Sequence, residues 1–195
     1  MAGIVIRQKR SGGVPIGASK LFGSPDVPDG FEWPAVTDSL DCFDLDFICQ
    51  LNCAELALHD KQKRLPSKGM LYFFYDIAKS SGDINDKNAA RVVYTSDEPL
   101  DELMMVDEDG RDCALCTPKA LSFSHAASKT EKLNMLVPLS TDIEEGYTAI
   151  FGISSFKIEN GSLHFTNIGK LWFLVRTESL ERHDFSDVRV KIVRL

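Results

Sequence analysis

The chain has 195 residues and sets 22 lysines and arginines against 29 aspartates and glutamates, a formal charge of −7. That length suits one domain spanning residues 1–195, and 44% hydrophobic with 26% charged residues is the balance of a soluble globular protein. The acidic balance speaks against nucleic acid as a direct partner, and no apolar run approaches the roughly 20 residues that cross a bilayer. Five cysteines behind an N-terminus without a signal-peptide pattern lead to an expectation of reduced thiols in a cytoplasm.

A short strand is expected over Gly3 to Arg7, followed by a glycine-rich link at 11–15. The stretch from Ser19 to Pro34 then packs three prolines, two glycines and three large aromatics into 16 residues. Proline fixes φ and removes a donor, and glycine opens conformations closed to other residues, so this segment reads as a rigid, non-repetitive loop with its aromatics held inward. A strand is expected from Phe47 to Leu51. Asn52 can cap a helix after it, Glu55 stands at the returning position of a capping box, and Leu51 with Leu56 has the spacing of a hydrophobic staple. The helix should end near the basic run Lys61 to Pro66.

Met70 to Tyr75 is a continuous apolar run bounded by Gly69 and Asp76, which reads as a central strand covered on both faces. Arg91 to Tyr94 is its expected partner across a polar turn at 80–88. Phe156 to Phe165 reads as a hairpin turning at Asn160-Gly161. Leu171 to Val175 is a further buried strand, Thr177 can cap a short helix, and Val188, Val190 and Ile192 alternate with Arg189, Lys191 and Val193 in a closing strand. Two internal echoes suggest a duplication. Gly69-Met70-Leu71-Tyr72-Phe73-Phe74 returns as Gly169-Lys170-Leu171-Trp172-Phe173-Leu174, and Lys20 to Ser24 returns weakly as Ala149 to Ile153.

The Pro/Gly loop, together with Asp46 to Leu56 and Leu65 to Asp76, resembles the YwqG-like family, a domain of unknown function. The likeness is strongest over residues 19–94 and returns at Leu171 to Val193. It implies an α+β domain with mainly antiparallel sheets, a few short helices, and two related halves sharing one core. It also implies a second-half block with a Leu-Leu-Gly-Tyr-Pro-like turn and a second Gln/Asp strand. Here Ile150-Phe151-Gly152 stands at the turn, no second Gln/Asp strand is found, and the second half reads as shortened.

Gln50 is a polar residue in an apolar strand, and a buried amide must find partners, either a ligand or neighbouring loops. Lys20, Glu32, Trp33 and Asp76 complete the candidate binding set, as loop residues or as a strand-end carboxylate. Residues 97–112 concentrate Asp97, Glu98, Asp101, Glu102, Asp107, Glu108, Asp109 and Asp112 around Arg111, the composition of a surface that attracts a basic protein. Cys49 with Cys53 and the C-x-x-C pair Cys113 and Cys116 offer four thiols, yet the first two fall in a strand and a helix start, no zinc knuckle flanks them, and acids precede the second pair. The histidines lack a metal-binding spacing, and Asp107 to Gly110 departs from a calcium loop, so neither cofactor nor metal is expected. Nucleotide, hydrolase and nucleic-acid motifs are missing. These features point to a non-enzymatic protein-binding domain, an immunity-type antagonist of a toxin or effector. A small-ligand protein or enzyme with a cleft near Gln50, and a scaffold or regulatory domain, are the alternatives.

Overall fold

The computed structural model describes residues 3–9, 13–37, 42–99, 101–104, 117–125, 135–154, 156–158, 161–163 and 169–194, with the backbone alone at 156–158, 161–163 and 194. In chain order the first half holds β1 (Ile4–Gln8), β2 (Lys20–Leu21), β3 (Asp26–Val27), β4 (Ala35–Thr37), β5 (Cys42–Asp44), β6 (Asp46–Asn52), α1 (Cys53–Ala57), β7 (Met70–Tyr75), β8 (Ala90–Thr95) and β9 (Asp101–Glu102). The rest comprises β10 (Lys119–His125), β11 (Met135–Val137), β12 (Tyr147–Ser154), β13 (Phe156–Ile158), β14 (Gly161–Leu163), β15 (Gly169–Arg176), α2 (Thr177–Glu181) and β16 (Val188–Arg194).

Ten strands form one antiparallel sheet in the order β16-β15-β12-β11-β1-β10-β2-β6-β7-β8. Its two edges, β8 and β16, come close enough that the sheet nearly closes on itself. Gly82 lies in that seam: its carbonyl accepts from the Ile192 N–H at 3.4 Å, and a Cβ there would stand 2.6 Å from the Ile192 side chain. The expected α+β class is therefore wrong. The described residues hold two helices of five residues each beside sixteen strands, an all-β barrel-like architecture. Closing a sheet hides its edges and encloses a core without a helical layer, so the helix signals mark only connections.

The core divides into three. Inside the barrel lie Ile48, Cys49, Leu51, Leu71, Phe73, Tyr75, Ile150, Phe151, Phe173 and Val190 with their neighbours. Outside β6 and β7, the Pro/Gly loop covers Phe47, Met70, Tyr72 and Phe74. Outside β12 and β15, Leu136, Ala149, Trp172 and Leu174 are covered by Ile84, Ile143, Tyr147 and Val193. Burial on both faces explains why β7 reads as an unbroken apolar run: all six of its residues are buried.

Four local expectations change. Asn52 caps α1, its Oδ1 accepting from Ala54 N–H at 2.9 Å, but the helix stops at Ala57. The chain turns there because Asp60 gathers the N–H groups of Gln62, Arg64 and Leu65. Glu55 accepts from Ser19 N–H rather than returning to Asn52, whose own N–H goes to Ser19 Oγ. At α2 the cap position belongs to Arg176, which makes no side-chain cap bond, while the Thr177 hydroxyl meets that of Thr148 at 3.0 Å. In the β13–β14 hairpin Gly161 is paired with Ile158, so it belongs to the ladder and not to an Asn160-Gly161 turn.

Candidate functional site

The Pro/Gly loop is anchored through a buried polar centre. In β2, Lys20 stands opposite Gln50 of β6, and both are buried. The Gln50 carboxamide donates to the Ala18 carbonyl at 2.8 Å and to Asp26 Oδ2 at 2.7 Å, and its oxygen accepts from Asp26 N–H at 2.8 Å. Gly17 N–H also donates to Asp26 Oδ2, and the Tyr72 hydroxyl donates to the Asp26 carbonyl at 2.7 Å. The Lys20 ammonium lies 2.6 Å from Asp26 Oδ1 and 3.2 Å from Glu102 Oε1. A buried lysine and aspartate keep their charges only when paired and hydrogen-bonded, and here each meets the other. Burial, with the Asp26 charge adding to it, pushes the Tyr72 hydroxyl up to about 12, so it remains a donor.

The five sequence candidates do not converge on one opening. Lys20 and Gln50 meet through Asp26. Trp33 donates from Nε1 to the Leu45 carbonyl at 2.8 Å and sets its ring edge against Phe74, as Phe31 does against Tyr72. Glu32 is exposed on the outer side of the loop. Asp76 lies beyond the far end of β7, where its carboxylate accepts from Lys79 N–H and builds the next turn. It also helps raise the neighbouring Asp46 carboxyl, whose first cause of elevation is burial.

The acidic segment forms a second surface beside this centre. β9 pairs with β3, Asp26 opposite Glu102 and Val27 opposite Asp101, while Leu103 N–H donates to the Pro25 carbonyl. Leu103 packs into the outer core, so residues 101–103 are fastened by backbone and side chain together. Asp97, Glu98, Asp101 and Glu102 are all exposed. Asp97 and Glu98 line a groove of about 290 Å³ with Asn52, Lys68 and Ser96. Two exposed apolar residues flank the acids: Met104 follows them in the chain, and Ile16 adjoins Gly17, which packs against Pro99. Asp107, Glu108 and Asp109, with Asp112, lie outside the described residues, as do Cys113, Cys116 and His164.

Cys49 and Cys53 are buried in the barrel core, and burial pushes the Cys53 thiol up to about 12 and Cys49 well above its ordinary value. Among the described residues no three His, Cys, Asp or Glu side chains gather as metal ligands. The sequence reading missed Asp26, hidden among the turn residues of the loop, although its Lys20 and Gln50 partners were legible. It also missed the pairing of His59 with His125, whose rings meet edge to face. No spacing announces residues so far apart in the chain.

The geometry defines an all-β barrel-like domain that carries a rigid loop on a buried Lys-Asp-Gln centre and an acidic strand beside it. A family model described as a domain of unknown function (DUF1963) matches residues 19–151, from the Pro/Gly loop into β12. The chain belongs to that family. No curated protein matches it.

Proposed function

We propose that this chain is a YwqG-like member of its family that works in the cytoplasm as a non-enzymatic protein-binding domain, antagonising a toxin or effector with a basic surface. The observation that carries the reading is the acidic edge: Asp97, Glu98, Asp101 and Glu102 are exposed, the last two on a strand whose backbone is fixed by β3 and Leu103, with exposed Ile16 and Met104 beside them. A preordered surface loses little entropy on docking, its charge steers a basic partner, and its apolar residues supply contact area. The competing cleft at Gln50 has less support, because that carboxamide already spends both its nitrogen and its oxygen on the protein's own groups.

The test compares the wild type with a triple variant, Asp97→Lys, Glu98→Lys and Asp101→Lys, as baits in native lysate. Glu102 is left intact because it pairs with Lys20. A basic partner held stoichiometrically by the wild type and weakened at least tenfold by charge reversal is the expected result, with affinity falling as salt rises. A partner retained equally by both baits, or none at all, overturns the proposal.

A further inference from the structure

His59 lies in the turn after α1 and His125 closes β10, and the fold sets their rings edge to face with centroids 5.3 Å apart. Both line a cavity of about 140 Å³ on the side of the barrel where β1 begins. That is far more than the roughly 10–15 Å³ needed to admit one water. Ile4 and Leu139 give it apolar wall, and Lys61 and Gln62, both exposed, complete the polar side. The walls are tied together. Arg64 donates to the Leu139 carbonyl at 2.7 Å and to Thr148 Oγ1 at 2.9 Å, holding Leu139 at a φ of 48°. The Asp60 carboxylate, also in the lining, is engaged by three backbone N–H groups of its own loop.

The chemistry follows from one atom. His59 Nδ1 is buried and has no hydrogen-bond partner. A neutral imidazole carries one N–H and one bare nitrogen, and an orphaned buried N–H is rarer in proteins than an under-satisfied acceptor. With Nδ1 left bare, the ring offers its N–H at Nε2. The His59 and His125 rings, the Lys61 ammonium and the Gln62 carboxamide bring hydrogen-bond donors to this cavity beside an aliphatic wall.

We propose that the cavity binds a small aliphatic carboxylate, its oxygens taking hydrogen bonds from His59, His125 and Lys61 and its short alkyl chain lying against Ile4 and Leu139. The site is separate from the acidic edge and does not depend on a protein partner. The experiment is an NMR titration of histidine-labelled full chain with butyrate, with acetate and inorganic phosphate as parallel probes. Butyrate should shift the His59 and His125 resonances together and saturably, severalfold more tightly than acetate and more tightly than phosphate, while His183 stays still. Lys61→Ala, a change at an exposed residue that leaves the fold intact, should weaken butyrate at least fivefold, and His59→Phe should abolish the response. Shifts that do not saturate by about 50 mM butyrate, or that appear equally at His183, overturn the proposal. Phosphate binding as tightly as butyrate overturns the aliphatic class. Tight zinc binding at both rings without a butyrate response overturns the donor assignment.

Discussion

On one side of the large sheet β7 lies between β6 and β8; on the other β15 lies between β12 and β16, so the two ends of the strand order mirror each other. The correspondence extends to irregularities. The β6–β7 ladder slips between Phe47 and Cys49, and the β12–β15 ladder slips between Ala149 and Phe151, leaving Ile48 and Ile150 as the extra residues. Each bulge sends two successive side chains into the barrel, Ile48 with Cys49 and Ile150 with Phe151, and Phe73 and Phe173 stand opposite the second of each pair. What differs is the outer chemistry. Gln50 faces Tyr72 in the first half, where the second half has Gly152 facing Trp172. Lys20 lies beside Gln50 where Leu136 lies beside Gly152. The first half carries a Lys-Asp-Gln centre there because it holds a loop against its outer face, whereas the buried cation of the second half, Lys170, lies over the Trp172 ring.

The strongest way to break this comparison is to give the first half the second half's residue. Lys20→Leu leaves Asp26, 0% exposed, with its N–H partners but without its cation. We expect a loss of about 3–5 kcal/mol, as for removing one partner of a buried ion pair. Adding Asp26→Asn should recover part of it. Urea unfolding measures both variants, and a cost for Lys20→Leu below about 1 kcal/mol would show that the centre does not brace the loop.

The second half has its own weak point at Gly152. A Cβ there would stand 2.3 Å from the Trp172 ring, and the ring is confined by Leu136, Ala149 and Leu174. Gly152→Ala should destabilise by about 1–3 kcal/mol through overpacking. Trp172→Leu, which clears the space, should absorb most of that cost when combined with it. Additive effects in the four-member cycle would mean that the ring and the glycine are not coupled.

The helix starts give a smaller contrast. Asn52→Ala removes a side-chain cap and should cost about 1 kcal/mol. Arg176, without such a bond, also stacks on Tyr147 at 5.0 Å, so Arg176→Asn should gain a cap, lose that contact and change stability by less than about 0.5 kcal/mol. A cost for Arg176→Asn comparable to that of Asn52→Ala would place the value of these positions in packing instead.

Much of this doubled plan was readable along the chain, because β7 and β15 are short apolar runs behind a glycine and their likeness is local. The echo of Gly69–Phe74 in Gly169–Leu174 falls on positions with the same neighbours. The weaker echo, Lys20–Ser24 with Ala149–Ile153, does not: β2 flanks β6, whereas Ala149–Ile153 is itself the counterpart of β6, and β11 holds the place of β2. The missing second Gln/Asp strand has the same explanation. The strand is present as β12, with Gly152 at the position of Gln50. Closure of the barrel was invisible because it depends on pairings such as β1 with β10 and β2 with β10, which join segments about a hundred residues apart. Asp26 was invisible as a partner because its residue type suits a Pro/Gly loop, and nothing in the sequence places it against Lys20 and Gln50. The helix was overread because an N-cap specifies where a helix begins and says little about its length.

The finest test of the comparison is electrostatic, at Asp46, whose counterpart across the mirrored order is Thr148. Burial raises the Asp46 carboxyl above its ordinary 3.8; the Ile77 N–H, donating at 3.0 Å, opposes this and the Asp76 charge adds to it. A carboxyl whose folded value is raised binds its proton more tightly in the folded chain than in the unfolded one. Its ionised form therefore destabilises the fold at neutral pH, and that penalty is relieved as pH falls through the raised value towards 3.8. Asn keeps an oxygen for the Ile77 N–H and removes the charge. Asp46→Asn should accordingly be more stable than the wild type at about pH 7, by less than about 1 kcal/mol, with the advantage vanishing near the ordinary aspartate value. Asp187 provides the opposite sign. Its bond to Arg189 holds it below its ordinary value against the effect of burial, so its contribution is present above 3.8 and is lost as pH falls through the lowered value. Urea midpoints for Asp46→Asn and Asp187→Asn across the acid range should diverge from the wild type in opposite directions at neutral pH. If Asp46→Asn is the less stable variant there, the charge itself holds the Ile77 turn, and the first half uses a half-buried carboxylate where the second half has the Thr148 hydroxyl.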